Sequence, residues 1–360
     1  IGMIQQGLNA INVTEVKPVA AYLKSIPFNI YSIFTLVFVG VLMYSGKDYG
    51  PMLLVEDRAL EKGKFVADDA EPMMDINTEL GEPKKTRPMI ITFVLPIFTA
   101  FLIILFGLYW TGRGGNGLME ILENAQADTA LLWGAFAMAM SGVFMALTTK
   151  IMDFKETMDT FVDGLKLMVL TGAILIMAWT LGNITQEMEL ANYIITKIGD
   201  NIPFGILPIV IFLLSMLVSF ATGTSWGTMA IMTPLSIHLA YNITGDVNTS
   251  VVMSGIVLSG AIFGDHSSPI SDTTVMASIF SGADHMDHVK TQFPYALTIA
   301  LVILSMYALF GFFGIPPIVF IPLGLVILII LQNILHKYFI RKYGITEDYD
   351  KFMKEQFVKN

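Results

Sequence analysis

The chain has 360 residues, of which 54% are hydrophobic and 14% charged, with a formal net charge of −9. Soluble domains carry about 25% charged residues, so composition at this length excludes a soluble globular protein and specifies a multi-span membrane protein. The lack of cysteine excludes disulfides, thiolate metal sites and cysteine nucleophiles. Basic patches with interleaved aromatics are also missing, which argues against nucleic acid as a partner.

Residues 1–25 are amphipathic, begin at Ile1 without a signal-peptide pattern, and run straight into a first span over 27–45. The chain therefore reads as a fragment of a longer one, forming a single transmembrane transporter domain over 1–360. Residues 47–87 are charged and interrupted by Pro51, Pro72 and Pro83, which predicts an extramembrane loop, helical in part around 52–64. Spans follow over 89–110 and 130–148, separated by the Gly-rich turn 112–117. Tyr109, Trp110 and Trp133 fall at one end of these two spans, as an aromatic belt requires. A fourth span covers 164–181, with an amphipathic stretch over 187–198. Four apolar regions remain, 203–242, 249–280, 292–313 and 316–335, before a charged tail over 336–360.

Lys and Arg orient the chain. They crowd the loop 47–87, recur at Lys150 and Lys155, and fill the tail, so these segments are assigned to the cytoplasm. The two closing spans then put residues 281–290 in the cytoplasm as well, whereas 183–201 lies outside. Between those points the chain crosses an odd number of times, yet two apolar regions lie there. A helix of about forty residues would reach ~60 Å, twice the ~30 Å hydrocarbon core. Residues 203–242 are thus the better re-entrant hairpin and 249–280 the better broken crossing helix, although the reverse assignment satisfies the same parity. The expected fold class is an all-α polytopic membrane protein, an ion-transporter-like bundle with a re-entrant helical hairpin and a broken transmembrane helix.

Two polar stretches interrupt these apolar regions: Ala221-Thr222-Gly223-Thr224-Ser225-Trp226-Gly227-Thr228, and Gly264-Asp265-His266-Ser267-Ser268-Pro269-Ile270-Ser271-Asp272-Thr273-Thr274. Irregular backbone at membrane depth is tolerated only inside protein or beside a water-filled cavity. Pro269 removes a donor and disfavours helical geometry at Ser268, which frees carbonyls near 264–267 for a cation. Asp272 and Thr273 stand where a new helix would start, as caps. Thr222, Thr224, Ser225 and Thr228 offer hydroxyl oxygens, and Gly223 and Gly227 permit close backbone approach. Hydroxyls also serve as ordinary interhelical glue.

No Lys or Arg occurs between Ile198 and Val289, while Asp265 and Asp272 fall within that region's apolar part. A carboxylate at membrane depth without a basic partner is protonated or binds an exogenous cation. A group poised in this way exchanges H+ for Na+ by competition. His266 adjoins Asp265 and either tunes its proton or makes a structural bond. Asp284-His285-Met286-Asp287-His288 has the residue types of a transition-metal cluster, but its place on a cytoplasmic loop favours a solvated gate, a pH sensor or a helix cap.

At these residues the chain resembles the NhaC-type Na+/H+ antiporter family. The resemblance rests on the two stretches quoted, on Asp284-His285-Met286-Asp287-His288-Val289-Lys290-Thr291-Gln292, and on Gly46-Lys47-Asp48-Tyr49-Gly50-Pro51-Met52. It covers the second half well and the first half mainly in span pattern. It implies a secondary transporter of the cytoplasmic membrane, built from repeats of inverted topology, with Na+ as transported ion and without a covalent cofactor. The expected ligands are Asp265 and Asp272 for Na+ and H+ in alternation, with His266, Ser267, Ser268, Ser271 and Thr273 beside them. Thr222, Thr224, Ser225 and Thr228 would complete the shell. Asp284, His285 and His288 are weaker candidates for gating or pH sensing. A carrier or exchanger of a small carboxylate or amino acid, coupled to Na+ or H+, is the alternative. An intramembrane enzyme lacks its motifs here, and the sequence leaves a homo-oligomer open.

Overall fold

The computed structural model describes residues 1–64, 66–68, 70, 90–115, 117–187 and 203–345. Most of the charged loop beyond residue 70, the amphipathic stretch after 187 and the end of the tail lie outside the described residues. Regular structure among them is entirely helical, and the protein is polytopic. The chain divides into two compact units: Ile1–Met74 with Ile174–Asn360, and Asp75–Ala173.

The smaller unit is built on α5 (Ile91–Gly112) and α7 (Ala127–Thr148), joined through the short α6 (Leu118–Asn124). Gly107 faces Ala130, and Gly134 faces Ile104, so the two backbones approach closely. Their outer faces expose Phe93, Phe101, Leu132 and Phe136, the surface a bilayer covers. α8 (Phe154–Glu187) begins in this unit behind Asp153, whose carboxylate accepts the Glu156 amide at 2.8 Å. It extends past the expected 164–181 at both ends.

In the larger unit the first elements are α1 (Gly2–Ala10), α2 (Pro18–Ser25), a 3-10 turn (Ile26–Phe28), α3 (Ile30–Ser45) and α4 (Pro51–Lys62). Then come α9 (Leu207–Thr222), α10 (Ser225–Thr244), α11 (Val247–Ser267), α12 (Asp272–Ser281), α13 (His285–Phe313) and α14 (Pro317–Tyr343). Among the described residues α5, α7, α11, α13 and α14 are long and apolar enough to cross a membrane, and α2 with α3 makes a sixth if taken as one span bent by 48°.

α11 is the centre of this unit, buried along its length. Small residues make that possible: Gly260 faces the Phe212 carbonyl and Ser215, and Gly264 faces the backbone of Ser219 and Phe220. A side chain at either glycine would push α9 away. Ser219 Oγ locks the pair by donating to Ala261 O at 2.6 Å.

The 48° bend at Asn29 was not legible in the sequence, where Pro27 reads as the first residue of a span. The groups it frees find partners on other helices. Tyr307 Oη donates to Phe28 O at 2.7 Å, and the Tyr31 amide donates to Ser259 Oγ at 3.1 Å. The Phe28 carbonyl and the Tyr31 amide at the bend are satisfied in this way. The segment expected as a loop over 281–290 is shorter. Asp284 caps α13, accepting the Asp287 amide at 2.9 Å, and the helix starts at His285. α14 likewise continues past residue 335 to Tyr343, so His336 is helical.

Candidate functional site

The two polar stretches come together. α9 ends at Gly223, whose φ of +68° closes the helix in a left-handed cap, and Thr224 Oγ1 caps α10 by accepting the Gly227 amide at 3.4 Å. α11 ends at Ser268, and Ser271 Oγ caps α12 by accepting the Thr273 amide at 3.2 Å. The capping residue is therefore Ser271, ahead of the Asp272 and Thr273 that the sequence suggested. A Cβ at Gly223 would stand 2.6 Å from Ile270 O, so one break sits directly on the other. Ser268 Oγ ties them by donating to Phe220 O at 2.8 Å.

Asp265 lies between the breaks in the last turn of α11, half-buried. Ser225 Oγ donates to its Oδ2 at 2.8 Å, Ser271 Oγ to its Oδ1 at 2.6 Å, and Thr273 Oγ1 reaches Oδ1 at 3.4 Å. One hydroxyl thus comes from the first polar stretch and two from the second. Among the described residues Asp265 has no ion pair with Lys, Arg or His. Trp226, Ile270 and Thr273, neighbours of the cage residues, are exposed. Asp272, the first residue of α12, directly follows Ser271.

The remaining candidates divide by where their oxygens go. Thr222, Thr228 and Ser267 donate to carbonyls one turn back, Val218, Thr224 and Phe263 respectively. They stabilise the helix ends and leave Asp265 to Ser225, Ser271 and Thr273. The carbonyls that Pro269 was expected to free are engaged: Gly264 O accepts the Ser268 amide, Asp265 O accepts Thr274 Oγ1, and His266 O accepts Gln292 Nε2.

His266 points to α3, its Nδ1 2.9 Å from Tyr31 Oη. His285 and His288 meet on Ser278 Oγ, at 3.0 Å and 2.8 Å. No group of three or more His, Asp or Glu among the described residues could hold a metal ion. Sequence reasoning missed Tyr31 and Ser278, which lie in no motif, and gave no role to Gln292, the last residue of the Asp284 motif; their contacts here arise only through the tertiary fold.

The Gly46-to-Met52 motif forms a second polar node. Tyr295 Oη donates to Asp48 Oδ1 at 2.7 Å, and His336 Nδ1 lies 2.6 Å from Asp48 O. Burial pushes the Asp48 carboxyl above the usual range, opposed by the Tyr295 bond and by His336. Glu56 is raised too, by burial and then by the charge of Asp48.

These features can be set beside known proteins. An uncharacterised protein of Haemophilus influenzae is 30% identical over 314 residues, covering 85% of this chain and 57% of its own length. The "Arginine/ornithine antiporter ArcD" of Halobacterium salinarum is 38% identical over 99 residues, 28% of this chain and 20% of that one. The "Malate-2H(+)/Na(+)-lactate antiporter" of Bacillus subtilis is 35% identical over 107 residues, 28% of this chain and 22% of that one. The chain spans less than two thirds the length of these curated relatives, and no solved structure matches it. The family profile described as "Na+/H+ antiporter family" matches residues 1–312, a stretch that includes both breaks and the whole Asp265 cage; the chain belongs to the Na+/H+ antiporter family.

Proposed function

We propose that the protein exchanges Na+ for H+ across the cytoplasmic membrane, with Asp265 as the group for which the two ions compete. The observation that carries this reading is the Asp265 carboxylate ringed by Ser225, Ser271 and Thr273 hydroxyls, in a stretch of sequence without Lys or Arg. Hydroxyls suit both states. With the carboxylate bare or protonated they hydrogen-bond to it, and with Na+ present they turn a lone pair to the ion. Family membership makes Na+ the expected transported ion. Asp272 is the second carboxylate, placed one residue beyond Ser271 to alternate with Asp265. In this reading residues 203–242 enter and return on one side as a hairpin turning at Gly223, and 249–280 cross once as a broken helix. The segments rich in Lys and Arg face the cytoplasm.

The test is an everted-vesicle assay on the full-length protein: added Na+ should dissipate an imposed pH gradient, and Asp265→Asn and Asp272→Asn should each abolish the response. Unchanged exchange by either variant would remove that residue from the mechanism. A second reading, coupled exchange of an amino acid or small carboxylate, is favoured by the names of the Halobacterium salinarum and Bacillus subtilis relatives. The N-termini of α10 and α12 could hold a carboxylate without Arg. Labelled arginine, malate or lactate in proteoliposomes separates the two, since Na+/H+ exchange alone predicts no uptake of any of them.

A further inference from the structure

Beside the Asp265 cage, the α11–α12 break is gripped by a second polar cluster. His285 is buried, and its Nε2 lies 2.6 Å from the carbonyl oxygen of Pro269, in the middle of the break. Its Nδ1 lies 3.0 Å from Ser278 Oγ, which is also 2.8 Å from His288 Nδ1 and 2.8 Å from Thr274 O. His288 in turn lines a cavity of about 220 Å³ together with Met52, Arg58, Asp284 and Asp287.

Counting hydrogens constrains this cluster. Pro269 O can only accept, so His285 Nε2 carries a proton. Ser278 has one hydroxyl hydrogen and three neighbours able to accept it. If that hydrogen goes to His285 Nδ1, His285 is neutral and His288 donates its own Nδ1–H to Ser278 Oγ. If it goes to Thr274 O or to His288, His285 must donate from Nδ1 as well as Nε2, and its ring is an imidazolium. The charge on His285 is therefore tied to the direction of one hydroxyl. Two imidazolium rings donating to one oxygen would repel each other, so the cluster holds a single extra proton.

We propose that His285, Ser278 and His288 form a second proton-binding site, separate from the Asp265 cage, which takes one proton from the cavity and sets how firmly the break is held at Pro269. In the imidazolium both ring nitrogens donate, and the bond to Pro269 O is charge-assisted, roughly twice as strong as a neutral one. In the neutral ring Nε2 keeps the single proton, and the bond to Pro269 O loses its charge assistance. The break is tight in acid and looser in alkali. The groups facing the site decide how readily the proton is held. Asp284 and Asp287 on α13 favour the proton, whereas Lys290, 3.6 Å from Asp287, and Arg58 from α4 oppose it. His266 on α11 is joined to α13 through Gln292, and α12 offers only Asp272 as an ionisable residue. The site stands whichever ion the Asp265 cage carries.

Because the chain has no cysteine, Ile270→Cys places one thiol on the exposed side of the break. Its alkylation rate by a soluble maleimide, divided by the thiolate fraction, should rise several-fold from about pH 5.5 to about pH 8.5. The same rise should vanish in His285→Gln and in Ser278→Ala backgrounds. Nitrogen NMR of histidine-labelled protein, assigned with His285→Gln and His288→Gln, should show one of the two rings titrating in this window and the other resisting a second proton. Neither readout needs transport, so a failure of Na+/H+ exchange leaves both measurable. A flat normalised alkylation rate, or two rings that both become cationic and ignore Ser278→Ala, would overturn the site.

Discussion

Asp265 holds its position because three hydroxyls bond it, and each bond should be visible in the affinity for Na+. Hydrogen bonds to a charged group contribute about 1.5–3 kcal/mol, so Ser271→Ala and Ser225→Ala should each raise the Na+ concentration for half-maximal exchange on the order of tenfold or more. Thr273→Val, acting on the longer 3.4 Å contact, should have the smallest effect of the three. A Na+ titration of exchange in the three variants gives that order, and equal effects would mean that Thr273 ligates directly. Ser271 and Thr273 were legible in the sequence because they follow Asp265 across a proline break. Ser225 was legible because it belongs to a second polar stretch. Tyr31 and Gln292 were not, since nothing in a span pattern says which face of α3 or α13 meets His266.

Among elements, the breaks anchor the site, and Gly223 is where they touch. Gly223→Ala combines a left-handed φ of +68° with a Cβ 2.6 Å from Ile270 O. It should destabilise the protein by about 1–3 kcal/mol, lowering Tm by several degrees in a detergent melt. An unchanged Tm would mean that the breaks do not pack on each other. Both breaks were legible because Gly, Pro and hydroxyl residues interrupt apolar runs. The bend at Asn29 was hidden because Pro27 also suits a helix start. The start of α13 was half legible, since Asp284 to His288 reads as a charged loop or as a helix cap, and Asp284 is the cap. At the Asp48 node the folded state raises a carboxyl above its unfolded value, so the native state holds that proton longer. Stability from this group is present below the ordinary carboxylate range and is lost as pH rises through the raised value. Asp48→Asn keeps an oxygen for Tyr295 and removes the slope, so the variant's Tm should gain on the native protein's as pH rises from about 4 to 7. A constant difference across that range would show that Asp48 titrates normally.

For the whole molecule, the all-helical, polytopic class came from hydropathy, which averages over many residues and survives local errors. Contacts between distant helices are set by single small residues such as Gly260 and Gly264 on α11, and a pattern of apolar spans does not say which neighbour they admit. The proposed mechanism turns on Asp265 as one carboxylate shared by Na+ and H+. Everted vesicles carrying the full-length protein, with an imposed pH gradient read by a fluorescent dye, test it most directly. Added Na+ should collapse the gradient with the native protein and leave it standing with Asp265→Asn. A gradient that collapses equally with Asp265→Asn would contradict it.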